Sequence, residues 1–374
     1  MDFAQLRRWP DVDGPGLQAS DAADRLILDE AAAALAATTA DRVVVIDDAF
    51  GALALSAAEL CGRGIRSHQD LITGERALAA NAHRLGLADA VSSLRLAPEL
   101  LANAEVVLLR LPRSLDRLDE VAGLIAAHAA PGVAVYAGAR LKHMTLAMNE
   151  VLAAWFARVD VTLARQKSRV LIARSPLAVS PATTTAWPRT ERHADLGLTL
   201  AAHGGVFAGT RVDIGTRLLL AHLSEAVPDA EVVVDLACGN GIVGAALAAA
   251  RPHASVISTD RSAAAVAAAR ATAALNGVAD RMRVTQADGL ELLANASERL
   301  VVLNPPFHSD ASISIEIARH LFADAARALA PGGELWCVWN SHLRYRSTLE
   351  SVVGPTRQIA RTPKFTLTAS TRRG

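Results

Sequence analysis

Two segments of this 374-residue chain carry residue types at spacings that could do chemistry. The first is Asp235-Leu236-Ala237-Cys238-Gly239-Asn240-Gly241-Ile242-Val243-Gly244, which follows an apolar run and opens a helix-like stretch. Glycines there let a backbone approach a ligand closely and present amides at a helix N-terminus. By itself a Gly-x-Gly-x-x-Gly turn serves NAD, flavin or S-adenosylmethionine, or is only a tight turn. Three acids favour S-adenosylmethionine. Asp235 precedes the glycines, where a carboxylate repels a pyrophosphate but suits a cationic amino-acid moiety. Asp260 ends the next apolar run, 16 residues after Gly244, where it can accept from two ribose hydroxyls. Asp288 follows the third run, in reach of an adenine amino group. A dinucleotide site shares Asp260 but not the other two features.

The second segment is Leu303-Asn304-Pro305-Pro306-Phe307-His308, after a fourth apolar run. Ligands of open α/β sheets bind at such carboxyl ends of strands. Two prolines fix the backbone and remove two N–H donors. The Asn304 side-chain oxygen and the Pro305 carbonyl then suit the two hydrogens of a planar exocyclic amine. Held that way, the amine lone pair faces a sulfonium methyl, and transfer needs orientation rather than a metal or a strong base. Phe307 can stack on a flat substrate, as aromatic rings do on unpaired bases. The plain alternative is a proline-rich turn after a strand. His308 reads equally as a base-contacting group or an ordinary polar loop residue. Cys238 has no second cysteine nearby and reads as packing rather than as a nucleophile.

These residues need a parallel sheet to position them, and the apolar pattern supplies one. Short runs at 232–236, 256–260, 282–286, 300–303 and 334–338 alternate with helix-like stretches. Strands and helices of this length in alternation predict a sheet covered on both faces. The last piece differs, because 356–360 and 365–369 flank Thr362-Pro363-Lys364 and predict an antiparallel hairpin.

The first half repeats the rhythm. Arg42 to Ile46 predicts a strand, followed by Asp47-Asp48-Ala49-Phe50-Gly51 and a helix to Ala58. Ala104 to Leu109 predicts a later strand, and Ala130-Pro131-Gly132 matches Ala330-Pro331-Gly332 in the second half. Internal duplication explains this pattern, although any two doubly wound domains look somewhat alike. The expected organisation is a first domain at 1–180, a linker at 181–200 and a second domain at 201–374. The uncharged, Pro- and Thr-bearing stretch around Ser175 to Pro188 marks the linker.

At this point the chain resembles a known family. The glycine turn with Asn304-Pro305-Pro306-Phe307-His308 is similar to class I S-adenosylmethionine-dependent methyltransferases acting on amino nitrogens. More narrowly, it resembles the bacterial ribosomal RNA guanine-N2 methyltransferases, which carry tandem methyltransferase domains. Gly205-Val206-Phe207 followed by Asp213-Ile214-Gly215 carries that likeness, as do Leu335 to Tyr345 and Lys364-Phe365. In the first half it rests on Asp47 to Leu53 and Gly138 to His143. The large-subunit enzyme is the nearer, the small-subunit enzyme the next.

The resemblance implies two Rossmann-like domains, each a seven-stranded, mostly parallel sheet ending in an antiparallel hairpin. It makes the second domain catalytic through Asn304, Pro305, Pro306 and Phe307. Cofactor contacts fall on Asp235, Ala237, Cys238, Gly239, Gly241, Asp260, Arg261, Asp288 and Asn304. Substrate contacts fall on Phe207, His308, Arg344 and Lys364. The first domain has lost its site, serving as an RNA-binding or structural unit. Its turn has one glycine, and Phe50 would crowd an adenosyl group. Its counterpart of the tetrapeptide, Leu109-Arg110-Leu111-Pro112-Arg113, has no Asn and no Pro-Pro.

Composition narrows the alternatives. Hydrophobic residues at 51% and charged residues at 20% exclude disorder. With 38 Lys+Arg against 38 Asp+Glu, a uniformly basic surface is excluded, which departs from what a ribosomal RNA enzyme leads one to expect. Locally the balance shifts. Arg140 to Arg174 carries seven basic residues and two acids, and Ser341 to Gly374 seven basic residues and one acid. Meeting across a cleft, they would form a phosphate-binding face, and apart they are ordinary solvated surfaces.

Cys61, Cys238 and Cys337 lie far apart with no Cys-x-x-Cys spacing, so neither a metal site nor a disulfide framework is expected. A reducing cytoplasm fits them. The uncharged stretch from Val121 to Ala139 is broken by Pro131-Gly132, so no membrane span is expected. The partner implied is ribosomal RNA, bound by a monomer.

Rival readings are a 16S rRNA enzyme, a DNA adenine-N6 or protein glutamine-N5 methyltransferase, and a non-enzymatic RNA-binding assembly factor. The first shares every motif. The DNA and glutamine enzymes usually carry a target-recognition insertion or a small helical N-domain, and neither is seen. The last does not explain an intact Asp235, Gly239, Gly241 and Asn304.

Overall fold

The computed structural model describes every residue except 12, 15, 179–186 and 307–310, and the side chains of 311–314. The chain divides into two compact units, Met1–Trp187 and Pro188–Gly374.

In the first unit, short runs, unbrokenly apolar in β1 and nearly so in β4, form strands. They are β1 (Val43–Ile46), β2 (Ile65–His68), β3 (Val91–Ser93), β4 (Val106–Arg110), β5 (Ala134–Arg140), β6 (Phe156–Val161) and β7 (Ser168–Pro176). The sheet order is β3-β2-β1-β4-β5-β7-β6. The first five strands are parallel, and β7 runs antiparallel to β5 and β6. Both faces of β1 are buried: Val43 and Val45 enter one apolar cluster, and Val44 and Ile46 the other. That explains its unbroken apolar run, as parallel sheets are covered on both sides. Helices α1 (Ala22–Ala36), α2 (Ala52–Cys61), α3 (Ile72–Arg84), α4 (Pro98–Leu101), α5 (Leu115–His128) and α6 (Ala147–Ala153) complete the unit.

The second unit opens with a separate hairpin, β8 (Arg189–His193) and β9 (Leu198–Ala202). Helix α7 (Ile214–Leu220) then precedes β10 (Val232–Leu236), α8 (Ile242–Ala250), β11 (Ser255–Asp260), α9 (Ala263–Leu275), β12 (Met282–Gln286) and β13 (Glu298–Leu303). After α10 (Ala311–Ala328) come β14 (Leu329–Asn340), α11 (Arg346–Val352), β15 (Thr356–Arg361) and β16 (Phe365–Thr371). The sheet order is β12-β11-β10-β13-β14-β16-β15, the same as in the first unit, with β16 antiparallel to β14 and β15. The seven-stranded, mostly parallel sheet with a closing hairpin is therefore present twice.

One boundary differs from expectation. The linker expected at 181–200 is shorter at its far end, since residues 189–193 and 198–200 already belong to strands of the second unit. Four of the five β8 residues are exposed and charged or polar, so no apolar alternation announces that strand. Residues 181–186 of the expected linker lie outside the described residues.

Candidate active site

At the end of β10 the backbone turns through three left-handed residues, Ala237 (φ 57°), Gly239 (φ 54°) and Gly241 (φ 78°), before α8 begins. The glycines serve different ends. A Cβ on Gly239 would meet nothing within 4 Å, so its surface faces open space. A Cβ on Gly241 would stand 2.8 Å from the Ala269 backbone, so this glycine seats the turn on α9. Asp235 lies beneath the turn, 3% exposed, and its Oδ2 accepts from Gly244 N–H at 2.9 Å. Burial pushes its pKa up to about 7, with the nearby Asp260 adding to the rise. Among the described residues no cation pairs with it. Burial and the carboxylates of Asp260 and Asp235 push the Cys238 thiol well up, which leaves it protonated and packed.

Asp260 closes the turn from the neighbouring strand. Its Oδ2 accepts from Gly239 N–H and its Oδ1 from Ser262 N–H, both at 2.9 Å. Arg261 is half-buried, and its carbonyl accepts from Gln286 Nε2 at 3.1 Å. Asp288 faces His320 on α10, with 3.5 Å between Oδ1 and Nε2, and this hydrogen bond raises the histidine pKa. No local signal marks His320, because α10 lies beyond the tetrapeptide and pairing across 32 residues has no period.

Asn304 follows β13 immediately, with Pro305 buried and Pro306 exposed. Its partner comes from α7. Asp213 caps that helix by accepting from Gly215 N–H at 2.8 Å and Thr216 N–H at 3.3 Å. Gly215 has no side chain because a Cβ would stand 2.8 Å from the Phe365 ring on β16. The close approach brings Thr216 to Asn304, whose Nδ2 donates to Thr216 Oγ1 at 2.9 Å. The Asn304 Oδ1 is buried and accepts from no described residue. Such an orphaned acceptor costs roughly 1–3 kcal/mol unless a ligand satisfies it. Phe307 and His308 lie outside the described residues. Phe207 is 38% exposed. Arg344, in a left-handed conformation at φ 52°, and Lys364 are also exposed. The Lys364 carbonyl accepts from Ser341 N–H at 2.8 Å, which ties the turn before β16 to the end of β14.

The first unit has the same frame with other side chains. Ile46 pairs with His68 and Leu109, as Leu236 pairs with Thr259 and Leu303. Asp47, Ala49 and Gly51 repeat the left-handed positions, at φ 59°, 64° and 96°. By this register Gln69 stands for Asp260, and its Oε1 accepts from Ala49 N–H at 3.0 Å. Arg110 stands for Asn304, and Asp24 for Thr216 at the third position of its helix. Arg110 Nη1 donates to Asp24 Oδ1 at 2.6 Å and to Asp21 Oδ1 at 2.9 Å. Phe50 is 8% exposed, with the Arg8 guanidinium 4.4 Å from its ring centre. No group of three or more potential metal ligands occurs among the described residues. Among them no helix is long and apolar enough to cross a membrane.

Comparison with known proteins accounts for both units. Residues 2–177 match the RLMG N-terminal domain, and residues 197–369 match the methyltransferase small domain. The ribosomal RNA large subunit methyltransferase G of Pseudomonas paraeruginosa is 36% identical over 375 residues, covering 98% of this chain and 97% of that protein. The protein of the same name from Pseudomonas aeruginosa strain UCBPP-PA14 is 37% identical over 372 residues, with the same coverage. Among solved structures, the T. thermophilus 16S rRNA N2 methyltransferase RsmC, in complex with AdoMet and guanosine, aligns with a TM-score of 0.74. It is 21% identical and covers 97% of each chain, which establishes a shared two-unit fold. With both units matched in order and relatives of this identity along almost its whole length, the chain belongs to the ribosomal RNA large subunit methyltransferase G family.

Proposed function

We propose that this chain transfers a methyl group from S-adenosylmethionine to the exocyclic N2 amine of a guanine in 23S rRNA, acting as a monomer in the cytoplasm. The observation that carries this reading is the buried, unpartnered Asn304 Oδ1 at the carboxyl end of β13. An acceptor held there with its own Nδ2 engaged suits a donor such as an amine hydrogen.

The residues present also fit the cofactor. Asp235 is a buried carboxylate with no paired cation among the described residues, and its pKa of about 7 marks how poorly these residues stabilise its charge. The ammonium of an amino-acid moiety would supply that cation. Gly239 leaves space for close approach, and Asp260, at the carboxyl end of β11, is the residue assigned to the ribose hydroxyls. Ala237, Cys238, Gly241, Arg261 and Asp288 complete the set of cofactor contacts. Bound there, S-adenosylmethionine supplies a methyl group already activated by its sulfonium. The chain's task is then orientation: Asn304 and the Pro305 carbonyl accept the two amine hydrogens and aim the nitrogen lone pair. The amine loses its proton to solvent after it has been alkylated. Phe207, Phe307, His308, Arg344 and Lys364 are the substrate contacts in this reading.

The first unit, 1–180 in the sequence-based boundaries, holds RNA or supports the fold rather than catalysing, while 201–374 catalyses. Gln69, Arg110 and Phe50 support this, since they replace a ribose-binding acid, an amide acceptor and an open turn. The names of the full-length relatives favour large-subunit rRNA over the 16S target named for RsmC. The test is transfer of labelled methyl to naked 23S rRNA, naked 16S rRNA and assembled subunits. Label in 23S rRNA supports the proposal, label confined to 16S rRNA replaces the substrate, and label in neither contradicts it.

A further inference from the structure

We infer that Thr216 is a positioning residue for methyl transfer, acting through Asn304 by anchoring its amide with a hydrogen bond to Nδ2. The inference rests on the proposed role of Asn304 and goes one residue further. An asparagine amide turns about a broad, roughly two-fold torsion, and its two ends are opposite in kind. Turned one way it offers an acceptor to an incoming amine. Turned the other way it offers two N–H donors, which repel amine hydrogens. The first arrangement is the one present, with the Thr216 hydroxyl oxygen accepting from Nδ2 at 2.9 Å and anchoring the amide. The Oδ1 then points away from Thr216, buried and without a described partner.

Local structure makes Thr216 a dependable anchor. It is 6% exposed and sits in the first turn of α7, where the Asp213 cap orders the backbone. Gly215 lets that turn lie against Phe365. A β-branched side chain has few rotamers to lose, so the hydroxyl is held at little entropic cost. The pair is also a structural device that the molecule uses twice. In the first unit the third residue of the corresponding helix, Asp24, meets Arg110 at the corresponding strand end. There the pair is an ion pair with no free amide acceptor. The helix-to-strand contact is thus common to both units, and the free acceptor belongs to the threonine–asparagine version.

The test compares Thr216→Val, Thr216→Ser, Asn304→Ala and the double variant Asn304→Ala with Thr216→Val, in the full chain. Single-turnover methyl transfer, S-adenosylmethionine affinity, RNA affinity and melting temperature are measured for each. Thr216→Val keeps the shape and loses the acceptor. It is expected to lower the transfer rate about 10-fold, which is about 1.4 kcal/mol of barrier. Both affinities should stay within about twofold. Thr216→Ser retains the oxygen and should recover most of the lost rate. In the double variant, loss of Thr216 should add nothing to the loss of Asn304, as expected for two groups acting as one. An unchanged rate in Thr216→Val, a serine variant as slow as the valine variant, or additive losses would overturn the inference. If Asn304→Ala itself transfers normally, the reading of the tetrapeptide fails, and that outcome is distinct from a failure of Thr216 alone.

Discussion

Arg110 Nη1 lies 2.6 Å from Asp24 Oδ1, at the place in the first unit that Asn304 and Thr216 hold in the second. The pair replaces an amide acceptor with a closed ion pair, which also engages Asp21. Asp24 is 4% exposed, so removing its cation leaves a buried charge with nothing to balance it. Arg110→Ala is expected to destabilise the protein by about 3 kcal/mol, as for a broken buried pair. Cofactor affinity should be unchanged. Urea unfolding together with S-adenosylmethionine titration reads both, and a loss below about 0.5 kcal/mol would show that the pair is dispensable.

Asn304→Ala removes the orphaned acceptor while leaving the glycine turn in place. Turnover should fall about 100-fold or more, since orientation of the amine is lost, with S-adenosylmethionine affinity nearly intact. Steady-state kinetics and calorimetry separate the two. Normal turnover would make the tetrapeptide a structural turn.

Asp260→Ala should act in the opposite way. It removes the carboxylate that orders Gly239 N–H and Ser262 N–H and that is placed for a ribose. Cofactor affinity is expected to weaken by about 1.5–3 kcal/mol, the size of a hydrogen bond to a charged group. Equilibrium dialysis measures it, and an unaltered affinity would move the ribose site elsewhere.

The raised pKa of Asp235, about 7 against an ordinary 3.8, gives a pH dependence with a definite sign. Between those values the folded chain holds a proton on this group that the unfolded chain has released. Stability of the cofactor-free protein from this group therefore falls as pH rises from about 4 to 7 and levels off above. Asp48 in the first unit, raised to about 7 chiefly by burial, contributes in the same direction. Binding a cation requires the ionised carboxylate, so S-adenosylmethionine affinity should rise up to about tenfold per pH unit below 7 and flatten above it. Titration from pH 5.5 to 8.5 checks this, with Asp235→Asn as control. An equally steep profile in that variant would assign the effect to another group.

Much of the second unit was legible from local pattern. The run at 232–236, the turn and the helix at 242–250 coincide with β10, the turn and α8, because apolar runs bounded by glycines encode local structure. Two like domains were visible in the repeated Ala-Pro-Gly and strand spacing, and the matching sheet orders show them. What the sequence hid was pairing over distance. Thr216 and Asn304 are 88 residues apart, and Asp24 and Arg110 are 86 apart. No periodicity links such positions, and a threonine or aspartate in the first turn of a helix has a sufficient local explanation. The hairpin at 189–202 was hidden for another reason: β8 is solvated and carries no apolar face.

The identity of the methylated nucleoside tests guanine-N2 transfer most directly. After reaction of the full chain with labelled S-adenosylmethionine and 23S rRNA, the RNA is digested to nucleosides and separated. The label is expected to migrate with N2-methylguanosine and to be lost with Asn304→Ala. Label in N6-methyladenosine, or in protein rather than RNA, would contradict it.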